Sequence, residues 1–286
     1  MTPRIAVTGA TGFVGSHVVD ELNRRGFSAT LVSRSPDMRA SSGDRHRLLS
    51  MDICAPPDDA YEQLGRPTVL LHLAWGGLPN FRSLHHFETE LPAHYRFLSG
   101  LVRAGLPRLL VVGTCLEYGM RCGALSEDMP AIPTLAYPYA KNALRSQLDL
   151  LKAEVPFEMV WARLFYVYGE RQAPHALFPQ FTAAVRRGDR RFAMSRGEQL
   201  RDFIPVADAA RLLVDLALDD RDIGIVNVCS GQPMSVRTLV EEWVQDTGAD
   251  IVLDTSARPY PDYEPMAFWG SHKKLHALTV RNHRDG

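Results

Sequence analysis

Tyr137 and Lys141 are the residues whose types and spacing best suit acid-base chemistry. They are four residues apart, so on a helix both side chains lie on one face. An ammonium beside a phenol lowers the pKa of that phenol, which then exchanges a proton with a substrate oxygen. Thr114, at the end of an apolar run, is placed to orient that oxygen. We predict Tyr137 as the general acid, because the rival phenol of Tyr139 is only two residues from Lys141.

A glycine-rich segment, Gly9-Ala10-Thr11-Gly12-Phe13-Val14-Gly15, follows an apolar run and opens a helical pattern. Gly9 permits a tight turn, Gly12 lets the backbone approach a pyrophosphate, and Gly15 lets the helix pack closely. The free N–H groups at a helix N-terminus suit a phosphate. The segment predicts a dinucleotide site built from Gly9, Thr11, Gly12, Phe13 and Val14.

The end of the second predicted strand indicates which dinucleotide binds. A carboxylate at this place would hydrogen-bond the ribose 2′-hydroxyl of NAD, but the sequence has Ser33 and Arg34 there. A hydroxyl and a guanidinium suit a 2′-phosphate, and the missing carboxylate removes a repulsion against it. We predict NADP(H) as the cofactor, with NAD(H) as the alternative.

Apolar runs and amphipathic stretches alternate along the first 165 residues, and this order would position the residues above. The predicted strands are Arg4–Thr8, Ala29–Ser33, Thr68–Ala74, Leu109–Gly113 and Glu158–Phe165. The predicted helices are Val14–Arg25, His86–Ala104 and Tyr137–Ala153. The alternation predicts an α/β fold with a parallel sheet and helices on both of its faces.

Beyond about residue 166 the alternation becomes irregular. Short strands are predicted near Arg191–Met194 and Asp202–Ile204, and helices near Val206–Ala217 and Ser235–Thr247. We therefore expect a cofactor-binding domain over residues 1–165, to which 202–229 returns. Residues 166–201 and 230–286 would form a smaller substrate lobe.

The composition is that of an ordinary globular protein. In 286 residues, 32 Lys and Arg balance 33 Asp and Glu, so the charge favours neither nucleic acid nor a membrane surface. No apolar run is long enough for a transmembrane helix, and glycines interrupt the N-terminus before a signal peptide forms. The four cysteines show no paired spacing and the histidines no ligand pattern. We expect reduced thiols, no metal site and a cytoplasmic location.

The order of these motifs resembles the extended short-chain dehydrogenases/reductases that act on nucleotide sugars, a group of epimerases, dehydratases and reductases. The resemblance runs from residue 4 to about residue 275. Beside the glycine segment it includes His72-Leu73-Ala74, Thr114 to Gly119, Arg163 to Gly169, Arg201 to Asp208 and Asn227 to Gly231. It implies a Rossmann-type doubly wound parallel sheet with a smaller C-terminal substrate lobe, and a catalytic trio of Thr114, Tyr137 and Lys141.

The resemblance also implies binding residues. Asp52 would lie near the adenine, and Ile53, Leu73, Ala74 and Lys141 would complete the cofactor site. Arg201 and Arg258 would approach the substrate diphosphate, which guanidinium groups can bond bidentately. Tyr166 stands where the family usually has Asn, often in contact with the sugar or phosphate. The predicted substrate site comprises Trp75, Thr114, Cys115, Glu117, Tyr166, Arg201 and Arg258.

Three reactions are common in this group. Its 4,6-dehydratases usually have an acidic residue directly after the catalytic hydroxyl residue, where this chain has Cys115 and Leu116. Glu117 is one residue further, and on an extended segment its side chain would point the other way. The segments His72 to Asn80 and Cys115 to Gly119 most resemble reductases of dTDP-4-keto-6-deoxyhexoses, in which Trp75 would form a wall against the sugar ring.

These observations predict NADPH-dependent reduction of a keto carbon, C4, of a nucleotide-linked deoxysugar, with the proton supplied by Tyr137. The alternative is a nucleotide-sugar 4-epimerase with tightly bound NAD. A 4,6-dehydratase and a non-catalytic NADP(H)-binding regulator are less favoured. By resemblance, the helices at His86–Ala104 and Tyr137–Ala153 would form the surface of a homodimer.

Overall fold

The computed structural model describes residues 2–34, 45–255 and 257–282. Its strands are β1 (Ile5–Thr8), β2 (Ala29–Ser33), β3 (Arg47–Ser50), β4 (Val69–His72), β5 (Arg108–Thr114), β6 (Gly123–Leu125), β7 (Glu158–Leu164), β8 (Tyr166–Tyr168), β9 (Arg191–Ala193), β10 (Leu200–Pro205), β11 (Gly224–Val228), β12 (Pro233–Ser235), β13 (Val252–Asp254) and β14 (Phe268–Gly270). Its helices are α1 (Phe13–Arg24), α2 (Ala60–Gln63), α3 (Leu91–Arg103), α4 (Ala136–Lys152), α5 (Leu177–Arg187), α6 (Val206–Leu218), α7 (Val236–Thr247) and α8 (Lys273–Asn282).

Seven of the strands within these residues form one parallel sheet in the order β3-β2-β1-β4-β5-β7-β11. The central strands are apolar and buried, as expected for a parallel sheet covered on both faces. The strand order reverses between β1 and β4, so a crevice opens beyond the carboxyl ends of these two strands. The predicted Rossmann-type α/β fold is confirmed, and its switch point lies beside the glycine-rich segment.

Two apolar layers hold helices against this sheet. On one face, Val18 and Leu22 of α1 pack with Leu213 of α6 and the apolar side chains of β1. On the other face, Phe97 of α3 and Leu144 of α4 pack in a second core with Trp161 of β7. The layers place the start of α1, the end of β5 and the start of α4 around one crevice.

The remaining strands form small sheets outside the large one. Their orders are β12-β10-β8, β13-β9 and β14-β6. A separate core of α5, β9 and α7 contains Phe181, Phe192 and Trp243. Asp202 of β10 links the segment after β11 to β14. Its carboxylate accepts hydrogen bonds from the amides of Ser230, Gly231 and Gly270. The sequence motifs around residues 202 and 230 therefore meet in space.

The predicted elements have their counterparts, with shifts of a residue or two at most boundaries, but one predicted helix is wrong in part. Residues His86–Glu90 form a π-helical turn, and the α-helix begins only at Leu91. Pro92 lies at the start of that helix, where its missing N–H costs no hydrogen bond. The elements that were not predicted are the strands β3, β6, β8, β11, β12, β13 and β14 and the helices α2, α5 and α8.

The pairing of β10 and β11 bears on the predicted division into a cofactor-binding domain and a substrate lobe. β11 joins the edge of the large sheet beside β7, and α6 packs on α1, whereas β10 pairs with β8 and β12. The boundaries at residues 165, 202 and 229 stay a prediction. Among the described residues, no helix is both long and apolar enough to cross a membrane.

Candidate functional site

The glycine-rich segment forms a tight loop between β1 and α1. Gly9 has a φ of +71°, and a Cβ there would lie 2.7 Å from the amide nitrogen of Ala74. A Cβ on Gly15 would lie 2.0 Å from the carbonyl oxygen of Gly9, so the helix packs directly on the loop. Gly12 precedes α1 without a side-chain cap, and the first turn has no acidic residue. The loop therefore fits the phosphates of a dinucleotide.

A first cavity of about 440 Å³ opens from this loop along the carboxyl ends of β1, β2 and β4. Nine residues predicted to bind the cofactor line it: Gly9, Thr11, Gly12, Ser33, Arg34, Asp52, Ile53, Leu73 and Ala74. Arg34 is exposed at the cavity wall, and Asp52 accepts a hydrogen bond from the amide of Cys54 (3.0 Å). The residues predicted separately from the loop and from the end of β2 thus share one space.

A second cavity of about 460 Å³ adjoins the first, and Gly9, Gly12, Leu73 and Trp75 line both. The predicted residues along it are Phe13, Val14, Thr114, Cys115, Tyr137, Lys141 and Tyr166. The predicted catalytic trio therefore faces one space that continues into the loop cavity.

Tyr137 lies in the first turn of α4 and is buried. Its amide donates to the carbonyl of Phe81 (3.0 Å), and its ring contacts Phe81 and Trp75 at centroid distances of 5.6 and 6.1 Å. The rival Tyr139 is 56% exposed. Of the two rival phenols, that of Tyr137 lines the second cavity and that of Tyr139 does not.

The charges of Tyr137 and Lys141 follow from their burial. Burial lowers the pKa of Lys141 to about 7, and its ammonium donates to the carbonyl of Val112 (2.9 Å) and lies 4.0 Å from the ring centroid of Trp75. Burial, with the nearby carboxylate of Glu117, raises the pKa of Tyr137. The predicted lowering of the Tyr137 pKa is wrong in direction, because desolvation and nearby negative charges raise it. Tyr137 therefore holds its proton at neutral pH, as a general acid must.

Glu117 has a different place from the one expected of it. The chain does not stay extended after Thr114 but forms a 3₁₀ turn, Cys115–Tyr118, which the hydroxyl of Thr114 caps at the amide of Leu116 (3.2 Å). The turn directs Glu117 into the protein, where it accepts hydrogen bonds from Trp161 Nε1 (3.0 Å) and Arg163 Nε (2.8 Å). Glu117 is fully buried and does not line the second cavity, so the structure does not bring it to the predicted substrate site.

Gly113 makes this arrangement possible. A Cβ there would lie 2.3 Å from Trp161 Nε1 and 2.5 Å from a carboxylate oxygen of Glu117. The carboxylate also accepts from the amide of Thr114 (2.9 Å), which ties the end of β5 to the ion pair. Glu117 thus holds Thr114 in position from behind.

A buried chain of hydrogen bonds lies behind the other side of the crevice. Thr8 Oγ1 lies 2.8 Å from His72 Nδ1, His72 Nε2 lies 2.6 Å from His94 Nδ1, and His94 Nε2 lies 3.0 Å from a carboxylate oxygen of Glu90. An ionised carboxylate can only accept, so His94 donates to Glu90, His72 donates to His94, and Thr8 donates to His72. This is the pattern that the chain takes when both histidines are neutral.

Burial lowers the pKa of His72 and of His94, which agrees with these neutral forms. Burial would raise the pKa of Glu90, but hydrogen bonds from His94, the Gly76 amide (2.7 Å) and His85 (3.0 Å) lower it to about 2. Glu90 and His94 line the first cavity. This chain of hydrogen bonds therefore forms part of the wall of the predicted cofactor site.

Trp75 is half-buried between the two cavities. Its ring stacks on His94 at a centroid distance of 4.4 Å, and its Nε1 donates to His86 Nδ1 (3.1 Å). These contacts hold the indole rigidly, so Trp75 offers a fixed wall to the second cavity, and its contact with a sugar ring stays a prediction.

Arg201 and Arg258 lie in different surroundings. Arg201 is 1% exposed and donates to the carboxylate of Glu264 (2.9 Å) and the carbonyl of Leu200 (2.8 Å). It lines a third cavity of about 230 Å³ beneath Tyr166, whereas Arg258 is exposed and does not belong to the lining of the three cavities. The structure does not bring the two guanidinium groups together.

Sequence reasoning missed Glu90, His94 and Glu264. Glu90 and His94 are four residues apart on consecutive helical turns, which is a signal that the sequence contains. Glu264 reaches Arg201 from 63 residues away, and neither its spacing nor its neighbours indicate a site.

Comparison with known proteins agrees with this geometry. The model of the NAD dependent epimerase/dehydratase family matches residues 5–229. The dTDP-6-deoxy-L-talose 4-dehydrogenase (NAD(+)) of Aggregatibacter actinomycetemcomitans is 29% identical over 269 residues, which cover 93% of this chain and 99% of that protein. The dTDP-6-deoxy-L-talose 4-dehydrogenase (NAD(P)(+)) of Kitasatospora kifunensis is 25% identical, with 91% and 83% covered.

Among solved structures, MoeE5 in complex with UDP-glucuronic acid and NAD is similar with a TM-score of 0.79 and 26% identity. The match covers 96% of this chain and 92% of MoeE5. A further similar structure is TunA, an NAD-dependent NDP-hexosamine 5,6-dehydratase, with a TM-score of 0.80 and 25% identity. The names of these relatives include both a 4-dehydrogenase and a 5,6-dehydratase.

Proposed function

Since the chain belongs to the NAD-dependent epimerase/dehydratase family and is an enzyme of the extended short-chain dehydrogenase/reductase type, we propose that it reduces C4 of a nucleotide-linked 4-keto-deoxysugar with NADPH. The names of the two talose dehydrogenases support this choice, because oxidation of a 4-hydroxyl and reduction of a 4-keto group are one reaction in two directions.

One observation carries the proposal. Thr114, Tyr137 and Lys141 line a single cavity that continues into the glycine-loop cavity. A proton donor therefore faces the space into which a dinucleotide on the loop would extend, which is the arrangement that carbonyl reduction requires.

Each residue has a separate task in this reaction. The nicotinamide cofactor, when bound, supplies the hydride. Tyr137 donates its proton to the developing alkoxide at C4, and Thr114 orients that oxygen through its hydroxyl. Lys141, held by the Val112 carbonyl, favours the resulting phenolate electrostatically. The apolar rings around Tyr137 exclude water from the proton transfer.

We propose NADP(H) rather than NAD(H) as the cofactor. Ser33 and Arg34 line the first cavity, and Arg34 is exposed there, so its guanidinium is available to a 2′-phosphate. The relatives include proteins named for NAD(+) and for NAD(P)(+), so the family is compatible with either dinucleotide. We further propose a homodimer through α3 and α4, and a cytoplasmic location.

The 4-epimerase remains the second candidate, because structures of that class share the scaffold. A 4,6-dehydratase is less favoured, because Cys115 and Leu116 line the second cavity at the places where such enzymes usually have an acid. Burial raises the pKa of Cys115, so its thiol does not replace a carboxylate as a base.

The test is incubation of the purified protein with NADPH and dTDP-4-keto-6-deoxyglucose or its 3,5-epimer. We expect about one NADPH oxidised per sugar, and NMR should identify the 4-hydroxy product. Tyr137→Phe should lower turnover about 10²- to 10⁴-fold with nearly unchanged NADPH binding. The matched control Tyr139→Phe should retain turnover. Interconversion of two 4-hydroxy nucleotide sugars without added cofactor would instead establish the epimerase.

Arg34→Ala tests the choice of cofactor. A charge-assisted hydrogen bond contributes about 1.5–3 kcal/mol, so NADPH binding should weaken about 10- to 150-fold while NADH binding hardly changes. Fluorescence titration with both cofactors measures this difference. Equal affinity of the unmutated protein for NADPH and NADH would contradict the assignment.

A further inference from the structure

A buried ion pair separates the second cavity from the third. Arg201 donates to Glu264 (2.9 Å), and the two side chains are 2% and 10% exposed. Arg201 also lies 4.6 Å from the ring centroid of Phe268 and 5.5 Å from that of Tyr166. The pair is thus held rigidly between aromatic rings.

The two members of the pair face different spaces. Glu264 lines both the second and the third cavity, whereas Arg201 lines only the third. In the described lining of the second cavity, the charged side chains are Glu264 and Lys141. A ligand that fills the second cavity therefore meets the carboxylate of the pair and not its guanidinium.

Lys141 offers little compensation for a second negative charge in this cavity. Its ammonium is already bonded to the Val112 carbonyl and contacts the ring of Trp75. Arg201 is bonded to Glu264 and to two backbone carbonyls, those of Leu200 and Met266. An additional carboxylate next to Glu264 would therefore be buried without a free cationic partner among the described residues.

Neutral polar groups, in contrast, would find partners there. Gln172 Oε1 is buried and has no hydrogen-bond partner in the described part of the chain, and the buried Tyr166 Oη interacts with the Glu264 carboxylate. Tyr166 and Gln172 line the second and third cavities, and Gln172 is fixed because its Nε2 donates to the Val167 carbonyl (3.2 Å). A buried polar atom without a partner is costly, so a sugar hydroxyl group that bonds Gln172 Oε1 would gain affinity.

We propose that Glu264 is a specificity-determining residue that admits nucleotide sugars with an uncharged ring, such as hexoses and 6-deoxyhexoses, and excludes those with a sugar carboxylate. The proposal rests on the proposed function, because it assumes a nucleotide sugar in the second cavity. The scaffold alone does not impose this selection, since MoeE5 was solved with UDP-glucuronic acid.

The experiment compares two ligands that differ only at C6, UDP-glucose and UDP-glucuronic acid, together with the corresponding dTDP pair. Calorimetry is carried out on the protein saturated with NADP⁺ or NAD⁺, whichever binds more tightly. We expect the neutral sugar to bind at least about tenfold more tightly, because juxtaposed like charges in an interface disfavour a ligand strongly. In Glu264→Gln, the ratio should fall to within about threefold, chiefly through tighter binding of the uronic acid.

Three variants control this result. Glu264→Asp keeps the charge and should keep the preference, and the exposed Glu241→Gln should leave it unchanged. Because Glu264→Gln leaves Arg201 buried without its partner, Arg201→Met/Glu264→Gln removes both charges and should also lose the preference. Cofactor binding reports that each variant is folded.

The outcomes separate the two proposals. Equal or tighter binding of the uronic acid by the unmutated protein overturns the selection by Glu264, as does a preference that persists in both variants lacking the carboxylate. Binding of the cofactor without binding of any nucleotide sugar overturns the proposed function, and the selection with it.

Discussion

The ends of β5 and β4 each bury a carboxylate beside the crevice, but the two are neutralised by different partners. Glu117, behind β5, is bonded to Arg163 and Trp161, which keep their protons at any ordinary pH. Glu90, beyond β4, is bonded to His94 and His85 and to the Gly76 amide. A carboxylate paired with arginine is a permanent support, whereas the support at Glu90 depends on His94, whose pKa is lowered by burial.

The two carboxylates also differ in where they lie relative to the cavities. Glu117 lies inside the sheet layer and holds the end of β5, and with it Thr114. Glu90 lines the first cavity together with His94. We therefore expect loss of Glu117 to act mainly on stability, and loss of Glu90 to act on stability and on its dependence on pH.

The largest effect is expected for Glu117→Gln. The substitution leaves Arg163 fully buried without its negative partner, which costs about 3–5 kcal/mol of unfolding free energy. Urea unfolding at pH 7.5 measures the loss. The double variant Glu117→Gln/Arg163→Met should be more stable than the single one, because it removes the uncompensated charge. A loss below about 1 kcal/mol in Glu117→Gln would contradict the role of this ion pair.

A smaller effect is expected for Glu90→Gln. It removes charge-assisted hydrogen bonds that contribute about 1.5–3 kcal/mol, but His85 can change tautomer and accept from the new amide. The same urea titration at pH 7.5 should therefore show a smaller loss than for Glu117→Gln. If the two losses were equal or reversed, the distinction between arginine and histidine partners would be wrong.

A third effect, nearly absent at pH 7.5, is the dependence of stability on pH. Burial lowers the pKa values of His46, His72 and His94 in the folded protein, so below about pH 6.5 the unfolded chain binds more protons and stability falls as the pH falls. Each histidine contributes a slope of up to about 1.4 kcal/mol per pH unit. Glu90, with its pKa of about 2, contributes stability that is lost only as the pH falls below about 4.5.

The measurement is the urea midpoint between pH 7.5 and 5. His94→Gln should reduce the slope by about a third, since one of the three buried histidines with a lowered pKa is gone. The exposed His175→Gln serves as the matched control and should leave the slope unchanged. A slope that His94→Gln does not alter would place the titrating groups elsewhere.

Much of the fold was predictable because its signals are local. The alternation of apolar runs with amphipathic stretches gave the order of strands and helices, and Gly9 and Gly15 revealed the loop because no other residue fits there. The π-helical turn before Leu91 and several short strands, among them β3, were missed. A short half-exposed strand such as Arg47–Ser50 has no pattern that separates it from a loop, so only pairing with β2 defines it.

The sequence by itself determined which residue types were present for the chemistry: a Tyr four residues before a Lys, a glycine loop, and an arginine where an acid was expected. Only the tertiary structure decided their surroundings. It directed Glu117 away from the cavity through a turn, raised the pKa of Tyr137 by burial, and brought Glu264 to Arg201 across 63 residues. Burial and long-range pairing depend on which elements pack together, and these contacts leave no mark in local spacing.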